Sequence, residues 1–122
     1  MKIISSKVHG ILDYITVIFL ALSPTLFHME GNLKNFTYGL AIVHLLLTIL
    51  TRFEFGIIKL IPFKVHGLIE LVVAVALAAV AFWFYHNNNT LGFYFYIWLA
   101  IVISIVFLLT DFGSGKQTTY TT

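Results

Sequence analysis

The sequence contains no cysteine among its 122 residues. That excludes disulfides, thiolate metal ligands, iron–sulfur clusters and thiol catalysis together. Charge is scarce as well: Asp, Glu, Lys and Arg make up 10% of the chain, against about 25% in an ordinary soluble domain. With 60% hydrophobic residues and a mean hydropathy of +0.98, a soluble fold of this size could not cover its apolar surface. The natural solvent is therefore lipid, and the expected first partner is the bilayer. The basic residues are dispersed among apolar runs and form no patch that could track phosphates, so nucleic acid is not an expected partner. No phosphate-binding glycine loop occurs, and Ser5, Ser6, Ser23 and Ser104 lack a nearby base, which argues against an enzyme.

What is present is apolar and periodic. Runs at Val8–Phe27, Phe36–Phe53, Lys64–Tyr85 and Leu91–Thr110 each approach the roughly 20 residues that cross a hydrocarbon core. The fold class expected is all-α, a four-transmembrane-helix bundle in a single membrane domain over residues 1–122. The first run exceeds the usual signal-peptide core, and Pro24 would directly follow the small-residue cleavage pattern, so that run is read as a mature helix. Lys2, Lys7, Arg52, Lys59, Lys64 and Lys116 fall on one side of this arrangement and Lys34 on the other. The positive-inside rule then predicts a multi-pass inner-membrane protein with cytoplasmic N- and C-termini. Residues 114–122, rich in Ser, Thr and Gly, read as a flexible tail.

The chain repeats itself. Lys7-Val8-His9-Gly10 aligns with Lys64-Val65-His66-Gly67, and Leu50-Thr51-Arg52-Phe53 aligns with Leu109-Thr110-Asp111-Phe112. This suggests two tandem helical hairpins, about 7–56 and about 64–113, related by a pseudo-twofold axis along the membrane normal. Val8, His9, Gly10 and Asp13, then Ser23-Pro24, then Leu50-Thr51 and the connection from Gly56 to Gly67 resemble small bacterial membrane proteins carrying the SPW repeat. Thr25 stands where that signature has Trp, the second half has Val80-Ala81-Phe82 there, and Glu70 replaces an aspartate. The resemblance implies a small polytopic membrane protein and brings no activity with it.

Polar residues inside the apolar runs carry the chemistry. Gly67, Glu70, Ala74, Ala78 and Ala81 share one helical face, and Gly10, Asp13, Val17, Ala21 and Pro24 share its counterpart. Small residues allow close approach between membrane helices, so Gly10, Gly67, Ala74, Ala78 and Pro24 are expected at helix contacts and the two carboxylates inside the protein. His9 and His66 stand one turn shallower than Asp13 and Glu70. His44 lies on a stripe with Thr37, Ala41, Thr48 and Thr51, and its counterpart in the other half is Ile103.

Three readings of His9, Asp13, His66, Glu70 and His44 stay open. Each carboxylate can bond the histidine four residues earlier and simply fix packing, which makes the chain a packing or assembly component. Imidazole and carboxylate in contact can instead handle protons or ions, which makes the chain a candidate for proton- or ion-linked transport of a small solute, with a homo-oligomer or a larger membrane-protein partner supplying missing walls. Packing needs no cofactor, but a metal ion or a haem held by His9 and His66 is the third reading.

Overall fold

The computed structural model describes residues 2–113; the tail expected at 114–122, including Lys116, lies outside the described residues. Four helices follow one another: α1 over Ser6–Leu26, α2 over Gly31–Ile49, α3 over Phe63–His86 and α4 over Thr90–Leu109. Ser5 caps α1 by accepting from the Val8 amide at 3.3 Å, and Asn89 caps α4 by accepting from the Gly92 amide at 2.9 Å. Between α3 and α4 the chain turns through Asn88 in the left-handed region (φ 60°), a conformation asparagine tolerates better than most residues.

The second helix differs from the expected span at both ends. Its first turns take in Gly31 to Asn35, ahead of the apolar run that begins at Phe36. It stops at Ile49 instead of reaching Phe53, because Thr51–Arg52 (β1) leaves the helical path to pair in parallel with Ile61–Pro62 (β2). That pairing brings the amides of Leu60 and Ile61 onto the Leu50 carbonyl at 2.9 and 2.8 Å, while Ile57 and Ile58 satisfy Ile49. Carbonyls orphaned at the end of α2 are thereby satisfied within the protein. Lys59 Nζ reaches the Phe53 and Gly56 carbonyls at 2.5 and 3.1 Å and closes the loop. A matching parallel bridge joins Ile4 to Thr110, with Ile4 donating to the Leu109 carbonyl at 2.9 Å.

Helices α1, α3 and α4 are long and apolar enough to cross a membrane. Asn32, Lys34 and Asn35 make α2 the most polar of the four. Burial is distributed as lipid requires. Large apolar side chains such as Ile15, Ile18, Val72, Val75 and Trp98 face outward, whereas His9, Asp13, Thr37, Thr48, Thr51, His66, Glu70 and Thr110 are buried. The most extensive helix packing is within the two hairpins, α1 on α2 and α3 on α4. An apolar core of Leu20, Leu33, Leu77, Phe84, Tyr96 and Leu99 fills one end of the bundle, where Tyr96 and Thr37 hydroxyls meet at 2.5 Å. The ionisable residues fill the other end.

The expected contact residues behave in two ways. Ala74 and Pro24 are buried and Ala78 packs against the apolar core. The two glycines instead seat aromatic rings. A Cβ at Gly10 would collide with the Phe53 ring, and one at Gly67 would lie 2.5 Å from Phe112 Cε1. Each glycine thus admits a phenylalanine that follows the end of a helix in the chain, and α1 and α3 meet through longer side chains.

Candidate functional site

His9 and Asp13 lie one turn apart on α1, as do His66 and Glu70 on α3, so both pairs project from their helices in the same way. The two pairs meet. His9 Nε2 lies 3.3 Å from Asp13 Oδ1 and 2.9 Å from Glu70 Oε1. His66 Nε2 lies 3.0 Å from Asp13 Oδ2 and 3.2 Å from Glu70 Oε2. Each carboxylate therefore presents one oxygen to each imidazole, closing a ring of four residues whose candidate ligand atoms all lie within 4.8 Å of one another. The imidazoles are fully buried and meet edge to face with centroids 5.4 Å apart.

The outer nitrogens fix the tautomers. His9 Nδ1 is 2.9 Å from Thr110 Oγ1, and His66 Nδ1 is 2.6 Å from Thr51 Oγ1. Each hydroxyl spends its single proton on a backbone carbonyl: Thr110 on Val106 and Thr51 on Leu47, both at 2.6 Å. A hydroxyl committed in this way can only accept from the imidazole, so the network assigns the proton to Nδ1 in both histidines. A neutral imidazole then directs the lone pair of Nε2 inward, towards the carboxylates.

That arrangement cannot stand without a positive charge at its centre. Two buried carboxylates facing two lone pairs are strongly unfavourable unless two protons or one divalent cation balances them. The geometry bears on both cases. The four separations are short enough for ion pairing, yet neither Nε2 has an acceptor along its N–H direction, and Asp13 Oδ2 likewise lacks a directed hydrogen bond among the described residues. Tetrahedral coordination with metal–ligand bonds of about 2.0–2.2 Å places neighbouring ligands about 3.3–3.6 Å apart, a few tenths of an ångström beyond these separations.

Aromatic rings seal the site. Phe63 stands 5.3 Å from the His9 ring and 5.9 Å from the His66 ring, stacks on Phe53 at 5.7 Å, and meets Phe112 at 4.9 Å. His44, from α2, approaches from the opposite side, its Nε2 3.7 Å from Asp13 Oδ1. All five ionisable residues singled out in the sequence thus converge. Thr51, Thr110, Phe53, Phe63 and Phe112 complete the surroundings, and four of these five belong to the repeated Leu-Thr-x-Phe string, which marked them without disclosing their role. A haem does not fit between His9 and His66, because Asp13 and Glu70 occupy the space where the porphyrin plane would lie. No protein-family model, curated protein or solved structure matches the chain.

Proposed function

We propose that this is a multi-pass inner-membrane protein whose two hairpins are clamped together by one divalent transition-metal ion, held by His9, Asp13, His66 and Glu70. One observation carries the reading: both inward Nε2 atoms are buried without a directed partner while both Nδ1–H groups are committed to threonines. Metal-bound histidines are typically oriented in this manner, through the nitrogen that does not bind the metal. The donor set of two imidazoles and two carboxylates suits zinc, iron, cobalt or manganese better than magnesium or calcium, which favour all-oxygen sites. Each hairpin contributes two ligands, so the ion is a packing element in a protein whose halves otherwise meet through few backbone contacts.

Tandem duplication and membership of the SPW-repeat family belong to the same proposal. The duplication is supported by equivalent contacts on both sides of the site: His9 with Thr110 and His66 with Thr51, Gly10 with Phe53 and Gly67 with Phe112. Cytoplasmic termini follow from the lysines and arginine, and would place the aromatic seal towards the cytoplasm.

The test is metal analysis of the protein purified in detergent after chelation and reloading with Zn2+, Co2+ or Mn2+. One ion per chain is expected, and none in the double variant His9→Ala/His66→Ala. Correctly inserted wild-type protein that retains no divalent ion above the double variant overturns the proposal.

A further inference from the structure

His44 has no role in the four-residue ring, and its place in the fold is asymmetric. Its counterpart on α4 is Ile103, so where one half offers an imidazole the other offers a hydrocarbon, and the two line one cavity. His44 Nε2 is buried without a hydrogen-bond partner among the described residues, and at 3.7 Å the Asp13 carboxylate is within ion-pair range but beyond hydrogen-bond length. A separation of this size between two polar groups is typical of a bridging ligand.

There is space for one. A cavity of about 30 Å3 lies beside the carboxylates, with Asp13, Thr16, His44 and Glu70 as its polar lining and Leu99, Ile103 and Val106 among the residues walling it on the α4 side. This volume accommodates one water, for which about 10–15 Å3 is the minimum. The Thr16 hydroxyl donates to the Leu12 carbonyl at 2.8 Å, so its free lone pairs can only accept. Two imidazoles of the ring, His9 and His66, do not line the cavity: it touches the centre through the two carboxylates.

We propose that the bound metal keeps one coordination position open towards this cavity, occupied by a single exchangeable water hydrogen-bonded to His44, whose Nε2 accepts from a water in one tautomer and donates to an anion in the other. The inference rests on the metal reading above and goes further, since a purely structural centre of this type is closed by its four protein ligands, whereas an open position makes the ion a Lewis acid or an exchange site. The ligand class is a water or an anion of comparable width. His44 is a positioning residue for that ligand, outside the four that hold the metal.

The probe is azide, added to the cobalt-loaded protein in detergent and followed through the visible d–d bands of Co2+. Wild type is expected to show a saturable spectral change as azide displaces the water. His44→Leu should retain one cobalt per chain and bind azide at least tenfold more weakly. Ile103→Phe, which fills the cavity from its apolar wall, should retain cobalt and lose the azide response. Should either variant fail to load cobalt, the other decides. Bands that remain unchanged at saturating azide in the loaded wild type overturn the open position and leave the metal clamp standing. An azide response identical in wild type and in the loaded variants shows that the anion enters elsewhere, and overturns the role of the cavity. Absence of bound cobalt in wild type overturns both inferences.

Discussion

His9 and Thr110 stand 101 residues apart in the chain, yet their side chains meet at 2.9 Å and determine which imidazole nitrogen faces the interior. Thr51 does the same for His66 at 2.6 Å. Substituting Thr51 or Thr110 by Val removes the acceptor and keeps the shape, leaving a buried Nδ1–H without a partner. Metal affinity should fall by about 10–100-fold for each, as is usual when a group orienting a ligating histidine is lost. Thr→Ser variants should remain near wild type. Competition against a chromophoric chelator measures both, and equal affinities for Val and Ser variants would remove the threonines from the argument.

Neutralising a carboxylate separates metal binding from hydrogen bonding. Asp13→Asn and Glu70→Gln should each lose the metal, since an amide oxygen is a poor substitute for an anionic ligand, but keep a polar group beside the imidazoles. Asp13→Leu and Glu70→Leu leave two buried imidazoles facing one carboxylate and hydrocarbon, a loss of the order of 3–5 kcal/mol when one partner of a buried pair is removed. Thermal unfolding in detergent should therefore rank wild type above the amides and the amides above the leucines. Added metal should raise the midpoint of wild type alone, by about 2.7 kcal/mol of stabilisation at a free concentration near 100 times Kd. A metal-induced rise of equal size in Asp13→Leu would count decisively against the ring.

The glycines predict an effect of the opposite geometry, crowding instead of loss. A methyl group at Gly67 would sit 2.5 Å from the Phe112 ring. Gly67→Ala should destabilise by about 1–3 kcal/mol, the usual range for overpacking, despite the better intrinsic helix propensity of alanine. Combining it with Phe112→Leu should recover part of the loss, which a double-mutant cycle reads as coupling. Strict additivity of the two substitutions would mean that the ring does not rest on the glycine.

Orientation is tested by reporters fused after Gly113 and within Asn87–Asn89, the turn between α3 and α4. A cytoplasm-dependent reporter should work at the first position and a periplasm-dependent one at the second. The reverse pattern would place the aromatic seal on the outer side.

Much of this organisation was readable because the physics that fixes it is local. Hydropathy alone placed α1, α3 and α4 to within a few residues, since a run of twenty apolar residues has little alternative to a helix in lipid. Helical spacing put Asp13 and Glu70 on inward faces, and both are buried. The end of α2 was not readable, because Thr51 and Arg52 exchange helical hydrogen bonds for a parallel pairing with Ile61 and Pro62 that no local pattern announces. Nor were the tautomers, which depend on contacts between residues as distant as His9 and Thr110. The glycines were recognised as places of close approach, but the partner proved to be a phenylalanine ring from outside the helices. His44 was noticed as an asymmetry, and only the cavity beside it shows what an asymmetry could accomplish.

The convergence of the two repeated strings can be tested without any metal. In a chain free of cysteine, the pair Asp13→Cys with Glu70→Cys introduces the only two thiols present. The four candidate ligand atoms lie within 4.8 Å of one another, so a short bifunctional thiol reagent should join residues 13 and 70 within one monomer. A direct disulfide is a stricter requirement, with Cβ atoms about 3.5–4.5 Å apart, and its formation depends on backbone adjustment. The control is Ile15→Cys with Val72→Cys, two residues further along each helix, where both side chains are exposed on the outer surface. That pair should not link internally with the same reagent. A link between chains at 13 and 70 would report an oligomer, so the product must be read at monomer mass on a denaturing gel. If inserted monomer stays unlinked at 13/70 with every reagent length, while the thiols remain accessible to a monofunctional label, α1 and α3 do not bring their motifs together and no single ion can be shared between them.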